Sequence, residues 1–405
     1  MEHIVAGLDI GNGYVKGVLK SDDDVYDEVD IPSGVTVMTR PNLLPVAGEG
    51  ISDEIKEIYN RLDVSFVSEL VDDPYRRLFG DRSLQASGAS FEEFDVLGVR
   101  SKAEQSLSKV LVLGIVAAKG LQDYYRKNGV IPKEDEPLYV ESVCALALPI
   151  TEYMKHRKQF ASDFKDKTHT VVVHNFEYPI TVYVSFKDVQ VLAEGASGLF
   201  AIVEKGEPLM NAMLKDVRSR GIALEGIEAK DVLAAQNTVG IDIGEGTVNF
   251  PVFSNGRFNP DASTTFNKGF GTVLMASLEA MEAQGLLGGF SSRKQLAAYL
   301  SKPPSPLRRN HYNRIASIVS EEVVFFAREL TEKFGHILND VGATVEVVYV
   351  YGGGSGPVKD VLYPMLIDKV SEVLGMDAFP VLYLDAGYSR HLNREGLFIA
   401  AKRLA

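Results

Sequence analysis

The chain has 405 residues, 45% hydrophobic and 24% charged, the composition of a folded protein with two or three cored domains and no long disordered region. A formal net charge of −13 argues against direct contact with the DNA or RNA backbone, which is driven by clustered Lys and Arg, so any role on nucleic acid requires a basic adaptor. The single cysteine, Cys144, excludes an intramolecular disulfide and a cysteine-built metal site, and reads as a small buried hydrophobe.

In chain order, residues 1–5 lack the basic region and apolar stretch of a signal peptide. The longest apolar run, 110–118, is too short for a membrane helix, and a cytoplasmic protein is expected. Gly7-Leu-Asp-Ile-Gly-Asn-Gly-Tyr-Val-Lys16 reads as strand, tight glycine turn, strand, followed by an acidic turn at Ser21-Asp-Asp-Asp24. Apolar residues in three- and four-residue steps predict a helix over 105–126, and 138–148 reads as a buried strand. The stretches 170–174 and 178–186 read as a hairpin across Asn175-Phe-Glu177, with 189–192 as a further, separate strand. His169 and His174 should face opposite sides of such a strand, and no histidine pair stands at i, i+4, so a histidine metal site is not expected. A helix begins over 198–204.

The first segment then recurs as Gly240-Ile-Asp-Ile-Gly-Glu-Gly-Thr-Val-Asn249, identical at six of ten positions, and continues as strand through Phe250-Pro-Val-Phe253 to a turn at Ser254-Asn-Gly-Arg257. Helices are predicted over 271–284 and 315–338. Between them lie a Pro-rich surface loop, 301–306, and a basic patch of Arg308, Arg309 and Arg314 that reads as a solvated helix start. A strand over 345–350 runs into Gly352-Gly-Gly-Ser-Gly356, a helical stretch covers 358–370, and a last helix over 392–404 returns to pack on the first domain. These elements describe an α/β protein of two duplicated domains around a cleft, with boundaries at 1–195 and 196–384 and the C-terminal helix within 385–405 belonging to the first domain. The stretch 33–99 carries no motif of this kind.

Two glycine hairpins facing one cleft would present backbone N–H groups to a polyphosphate from both sides. Asp9 and Asp242, just before the turns, can hold Mg²⁺ through water, and Lys16 can set a cation on the phosphates. The late glycines, Gly353 and Gly354 among them, would let a base and ribose lie against the backbone, with Ser355 able to cap the next helix. No P-loop or dinucleotide fingerprint is present, since the hairpins continue as strand instead of opening a helix. Among many acids, Glu194 is placed by its position at a strand end, directly before Gly195-Ala-Ser-Gly198, to reach the cleft and act on water.

Together, Asp-x-Gly-x-Gly with a following Lys, a second Asp-x-Gly-x-Gly-Thr and the late Gly-Gly-Gly-Ser-Gly resemble the phosphate and adenosine motifs of the actin-like ATPase superfamily. Ala147-Leu-Pro-Ile-Thr-Glu-Tyr153 with Lys155-His-Arg-Lys158, and Val191-Leu-Ala-Glu-Gly-Ala-Ser-Gly198, resemble segments of the ParM/StbA plasmid-segregation actins, as do Lys268-Gly-Phe-Gly-Thr-Val-Leu274 and Asn393-Arg-Glu-Gly-Leu-Phe398. The resemblance implies an actin-like fold of two ribonuclease-H-like domains around a nucleotide cleft, with 33–99 as a variable outer subdomain of the first and ATP or GTP and Mg²⁺ as ligands. It makes Glu194 the residue that orients the attacking water, with Asp242 assisting and Asp9 and Asp242 serving the metal. It places Gly11, Asn12, Gly13, Lys16, Gly244, Glu245, Gly246, Thr247 and Gly271 around the phosphates, and Gly353, Gly354 and Ser355 along the nucleoside. Glu245 departs from the pattern, which often has Gly or a small residue there.

What the resemblance implies for function is a polar filament of this chain that assembles on nucleotide, is destabilised by hydrolysis, and segregates plasmid DNA through a basic adaptor bound to a centromere-like site. The alternative within the superfamily is a small-molecule kinase acting on a sugar or acid, which would add a substrate pocket and a general base. A chaperone would carry a long substrate-binding domain after the ATPase part, and a shape or division actin an amphipathic membrane anchor; neither is expected from 1–7 or 392–405.

Overall fold

A computed structural model describes residues 1–38, 50–85, 90–95, 100–286, 290, 292–384 and 386–405. The chain divides into two units, Met1–Ala201 with Asn393–Ala405, and Ile202–Leu392. Parts of the outer stretch expected over 33–99, namely 39–49, 86–89 and 96–99, lie outside the described residues, as does residue 385.

The first unit contains β1 (Glu2–Ile10), β2 (Tyr14–Ser21), β3 (Tyr26–Pro32), β4 (Val35–Met38), α1 (Ile51–Lys56), α2 (Ile58–Arg61), β5 (Asp63–Val67), β6 (Arg76–Leu78), α3 (Gly80–Gln85) and β7 (Ser90–Glu92). It continues with α4 (Ser106–Asn128), β8 (Leu138–Leu148), α5 (Ile150–Phe164), β9 (Thr168–Val173) and β10 (Ile180–Ala193). The sheet runs β3-β2-β1-β8-β10-β9-β5-β6-β4-β7. At its centre β1, β8 and β10 are parallel. β8 is buried over almost its whole length, which is why its sequence is continuously apolar near the end instead of alternating. β2, paired in a hairpin with β1, alternates buried and half-buried residues as a strand with one covered face should.

The separate strand expected over 189–192 is part of β10, which continues through a register shift between Phe186 and Asp188. The Asp188 carboxylate makes this irregularity tolerable by accepting from Val189 N–H (2.8 Å) and from Lys165 (2.8 Å). Buried against the sheet, α4 carries the fully buried Lys119, whose ammonium donates to Asp27 (2.6 Å) and Asp123 (2.7 Å). Removing one member of such a set leaves an uncompensated buried charge and costs about 3–5 kcal/mol. His169 and His174 each meet a serine hydroxyl, Ser68 and Ser65, at 2.8 and 2.9 Å.

α6 (Ala196–Ser219) follows and breaks at Gly206, two residues before Pro208. The second unit holds α7 (Ala229–Ala234), β11 (Thr238–Ile243), β12 (Val248–Phe250), β13 (Val252–Ser254), β14 (Arg257–Phe258), β15 (Thr264–Phe266), α8 (Phe270–Ala283), α9 (Arg293–Leu300), α10 (Arg309–Val341), β16 (Val347–Tyr351), α11 (Ser355–Leu374), β17 (Val381–Tyr383) and α12 (Ala386–Ser389). The strand expected to run unbroken through 250–253 is split by Pro251, which has no N–H for the ladder: β12 pairs the end of β11 and β13 its beginning. β11, β16 and β17 are parallel neighbours, so both units share a plan of three parallel strands flanked by an antiparallel hairpin.

The last helix, α13 (Leu392–Leu404), belongs to the first unit from Asn393 onward. It lies against β1 and the start of α6 at two glycines. A Cβ at Gly7 would fall 2.2 Å from Phe398 N, and one at Gly396 would fall 1.8 Å from Ser197 O. Ala145 and Ala147 of β8 and Leu397, Ala400 and Ala401 of α13 close this contact with small apolar side chains.

Candidate functional site

Each duplicated segment folds as a hairpin with the same register. Asp9 pairs with Lys16 and Ile10 with Val15 across the first; Asp242 pairs with Asn249 and Ile243 with Val248 across the second. The loops close alike, Gly11 N–H donating to Tyr14 O (3.0 Å) and Gly244 N–H to Thr247 O (2.9 Å). Among the described residues the N–H groups of Asn12, Gly13, Glu245 and Gly246 have no partner, the condition of a backbone cradle for an anion.

In open α/β sheets the carboxyl ends of parallel strands gather side chains for ligands. The register aligns Leu8 of β1 with Leu146 of β8, and Leu148 of β8 with Ala193 of β10. Asp9 at the end of β1, Glu152 in the first turn of α5 after β8, and Glu194 just past β10 therefore share one edge of the first unit. Burial, with Glu194 close by, pushes the Asp9 carboxyl up to about 6 against the opposing pull of Lys16 and Lys102. Burial also raises Glu152, with Lys102 opposing and Glu194 adding to the rise.

Lys102, in the turn before α4, had no signal in the sequence, where a lone lysine ahead of an apolar helix reads as solvated. It is 5% exposed and donates to Glu194 Oε1 at 2.5 Å. Burial would lower its pKa, but Glu194, Asp9 and Glu152 outweigh burial and raise it.

In the second unit Asp242 is buried at the end of β11, beside β16. Gly352, the first of the late glycines though not one of those assigned to the nucleoside, turns the chain there with φ +100°, and a Cβ on it would press on Ile243 O and Asp242 Oδ1. Gly354 N–H donates to Ile243 O (2.8 Å), tying the late glycines to the second hairpin, while Gly353 is exposed. Ser355 does not cap α11. It is the first residue of that helix, fully buried, and its hydroxyl donates back to Gly352 O (2.8 Å) instead of accepting a helix N–H. Gly271, in the first turn of α8, donates its N–H to Glu245 O (2.8 Å), and the Glu245 side chain faces Arg293 of α9 at 3.7 Å. The structure thus brings Asp9, Lys16 and Glu194 together in the first unit, and Gly244, Glu245, Gly271, Asp242 and Gly354 in the second.

Among the described residues no cluster of three or more His, Cys, Asp or Glu is set to hold a metal, and no helix is long and apolar enough to cross a membrane. A buried carboxylate beside an N–H cradle fits Mg²⁺ that takes most of its ligands from phosphate and water, the mode this ion prefers.

By sequence the chain matches no protein-family model and no curated protein. By structure it is similar to the actin-like protein Alp7A, with TM-score 0.63 at 17% identity over 99% of this chain and 97% of that one. It is also similar to Bacillus thuringiensis ParM with ATP (TM-score 0.58, 15% identity, 100% of both chains) and to the archaeal actin homolog Ta0583 (TM-score 0.59, 14% identity, 100% of both chains). Two units with the same strand plan, each carrying the same hairpin, and full-length likeness to these structures give the chain the actin-like fold of ParM and Alp7A.

Proposed function

We propose that this chain is a cytoplasmic, filament-forming actin-like protein that binds ATP or GTP with Mg²⁺, hydrolyses it, and segregates plasmid DNA through a basic adaptor bound to a centromere-like site. The observation that carries the reading is the repeat of one device in both units: a parallel strand ending in a buried aspartate, then a four-residue glycine loop with free N–H groups. Full-length likeness to ParM and Alp7A supports it, and the net charge of −13 supports leaving DNA contact to a basic partner.

In this reading the loop N–H groups of Asn12, Gly13, Glu245 and Gly246 bind phosphate oxygens, Lys16 adds a cation, and Asp9 and Asp242 would hold the metal. Gly353 and Gly354 lie along the nucleoside. Bound Mg²⁺ would neutralise charge that develops on the transferring phosphoryl group. Glu194 accepts a hydrogen bond from the attacking water and aims its oxygen at the terminal phosphorus. The new P–O bond forms as the bridging P–O bond breaks, leaving a nucleoside diphosphate and phosphate, the water's proton passing to the phosphate product and on to solvent, and Asp242 helps to hold the water in place. Nucleotide-bound copies assemble and hydrolysis weakens the assembly.

The test is to follow right-angle light scattering and phosphate release after adding Mg²⁺ with ATP, and separately GTP, and to image the products by electron microscopy. Scattering that rises on nucleotide addition and decays as phosphate appears is expected. Tight nucleotide binding without filaments, with phosphoryl transfer to an added sugar or acid, would replace this reading by the small-molecule kinase.

A further inference from the structure

The segment 100–105 ahead of α4 is fastened on either side of Lys102. Ser101 donates from N–H and hydroxyl to Glu104 (2.9 Å each), Ala103 N–H donates to Glu152 Oε2 (3.4 Å), and Lys109 donates to Ala103 O. Lys102 itself is nearly inaccessible, with its ammonium 6.0 Å from the centre of the Phe94 ring and 2.5 Å from Glu194 Oε1. A lysine with only a packing role extends its ammonium to water along its apolar stem. This one is turned inward to the single carboxylate at the end of β10. Burying such a pair adds little stability compared with apolar side chains of the same volume, so the geometry is better explained by what it does to Glu194.

We infer that Lys102 is a positioning residue for hydrolysis: by holding Glu194 Oε1 it sets the plane in which that carboxylate meets the attacking water. The inference rests on the proposed nucleotide hydrolysis and adds to it a residue that acts through Glu194. Because Lys102 is fastened through its neighbours to Glu152 and α5, the orientation of Glu194 depends on the segment ahead of α4 as well as on β10.

The experiment compares the full chain with Lys102→Met, Lys102→Arg, Glu194→Gln and the Lys102→Met/Glu194→Gln double variant. Affinity is read with a fluorescent ATP analogue and Mg²⁺, and rate by single-turnover phosphate release. Lys102→Met should keep nucleotide affinity within about twofold and slow phosphate release roughly 10–100-fold, the scale on which loss of an orienting partner acts. Lys102→Arg should recover most of the rate, and Lys102→Met should cost nothing further in the Glu194→Gln background. If Lys102→Met does not fold, Lys102→Gln, which keeps a donor without the charge, is read in the same assays and should give the same split between affinity and rate. Wild-type release by Lys102→Met or Lys102→Gln, a loss of affinity in place of rate, or losses that multiply with Glu194→Gln would overturn the inference. A wild-type chain that releases no phosphate, or Glu194→Gln as fast as wild type, would instead overturn the hydrolysis reading and the inference with it.

Discussion

At the carboxyl edge of the first unit, three buried or half-buried acids, Asp9, Glu152 and Glu194, share two lysines, Lys16 and Lys102, and the balance decides what each substitution does. Glu194→Ala leaves both glycine loops and Asp9 in place, so nucleotide affinity should be retained while phosphate release falls about 10²–10⁴-fold and filaments persist; release at the wild-type rate would remove Glu194 from its role. Asp9 behaves differently because its ordinary value of 3.8 is pushed up to about 6 in the fold. A carboxyl raised in this way favours the protonated folded state: its contribution is fully present below pH 3.8 and is lost as pH rises through about 6. At pH 7.5 the ligand-free fold therefore carries an ionised, desolvated carboxylate. Asp9→Asn should melt a few degrees higher than wild type at pH 7.5, by an effect on the order of 1–3 kcal/mol, with the gap closing toward pH 4 and Mg²⁺-nucleotide binding weakened. A lower melting temperature at pH 7.5 would contradict this placement of Asp9.

At the scale of elements, the helices and hairpins follow local rules. The glycine loops, the helical stripe that became α4 (Ser106–Asn128), and the buried strand β8 (Leu138–Leu148) depend on turn chemistry and periodicity within a few residues, and these were legible. The continuity of β10 was not, because its irregularity is satisfied by the Asp188 side chain and Lys165, neither of which marks a strand locally. The docking of α13 depends on two glycines with no turn to make. Gly396→Val would drive its side chain into the backbone of Ser197 and Gly7→Val into that of Phe398. Gly396→Val should destabilise the first unit by about 2 kcal/mol or more and expose α13 to protease, measured by melting and limited proteolysis. Unchanged protection would show that α13 contributes nothing at this contact.

At the scale of the whole chain, the first unit is discontinuous, built from Met1–Ala201 and Asn393–Ala405. Residues 1–201 alone leave bare the small side chains of Ala145 and Ala147 that α13 covers. Expressed alone, 1–201 should melt lower and self-associate more than the same fragment joined by a flexible linker to 393–405, read by calorimetry and sedimentation. Equal behaviour of the two fragments would make the returning helix dispensable.

The amino-acid sequence by itself determined the duplicated hairpins, the glycine loops and the acids at their strand ends, because strand alternation and turn residues act over a few positions. Only the tertiary structure decided which distant groups share an edge. Neighbouring parallel strands such as β1, β8 and β10 come from far apart in the chain, so the meeting of Asp9, Glu152 and Glu194, and the insertion of Lys102 among them, depends on register between strands that no local pattern encodes. For the same reason Ser355, a plausible helix cap by sequence, is buried with its hydroxyl turned back to Gly352: the left-handed turn at Gly352 and the neighbouring Ser389, not helix propensity, set its direction.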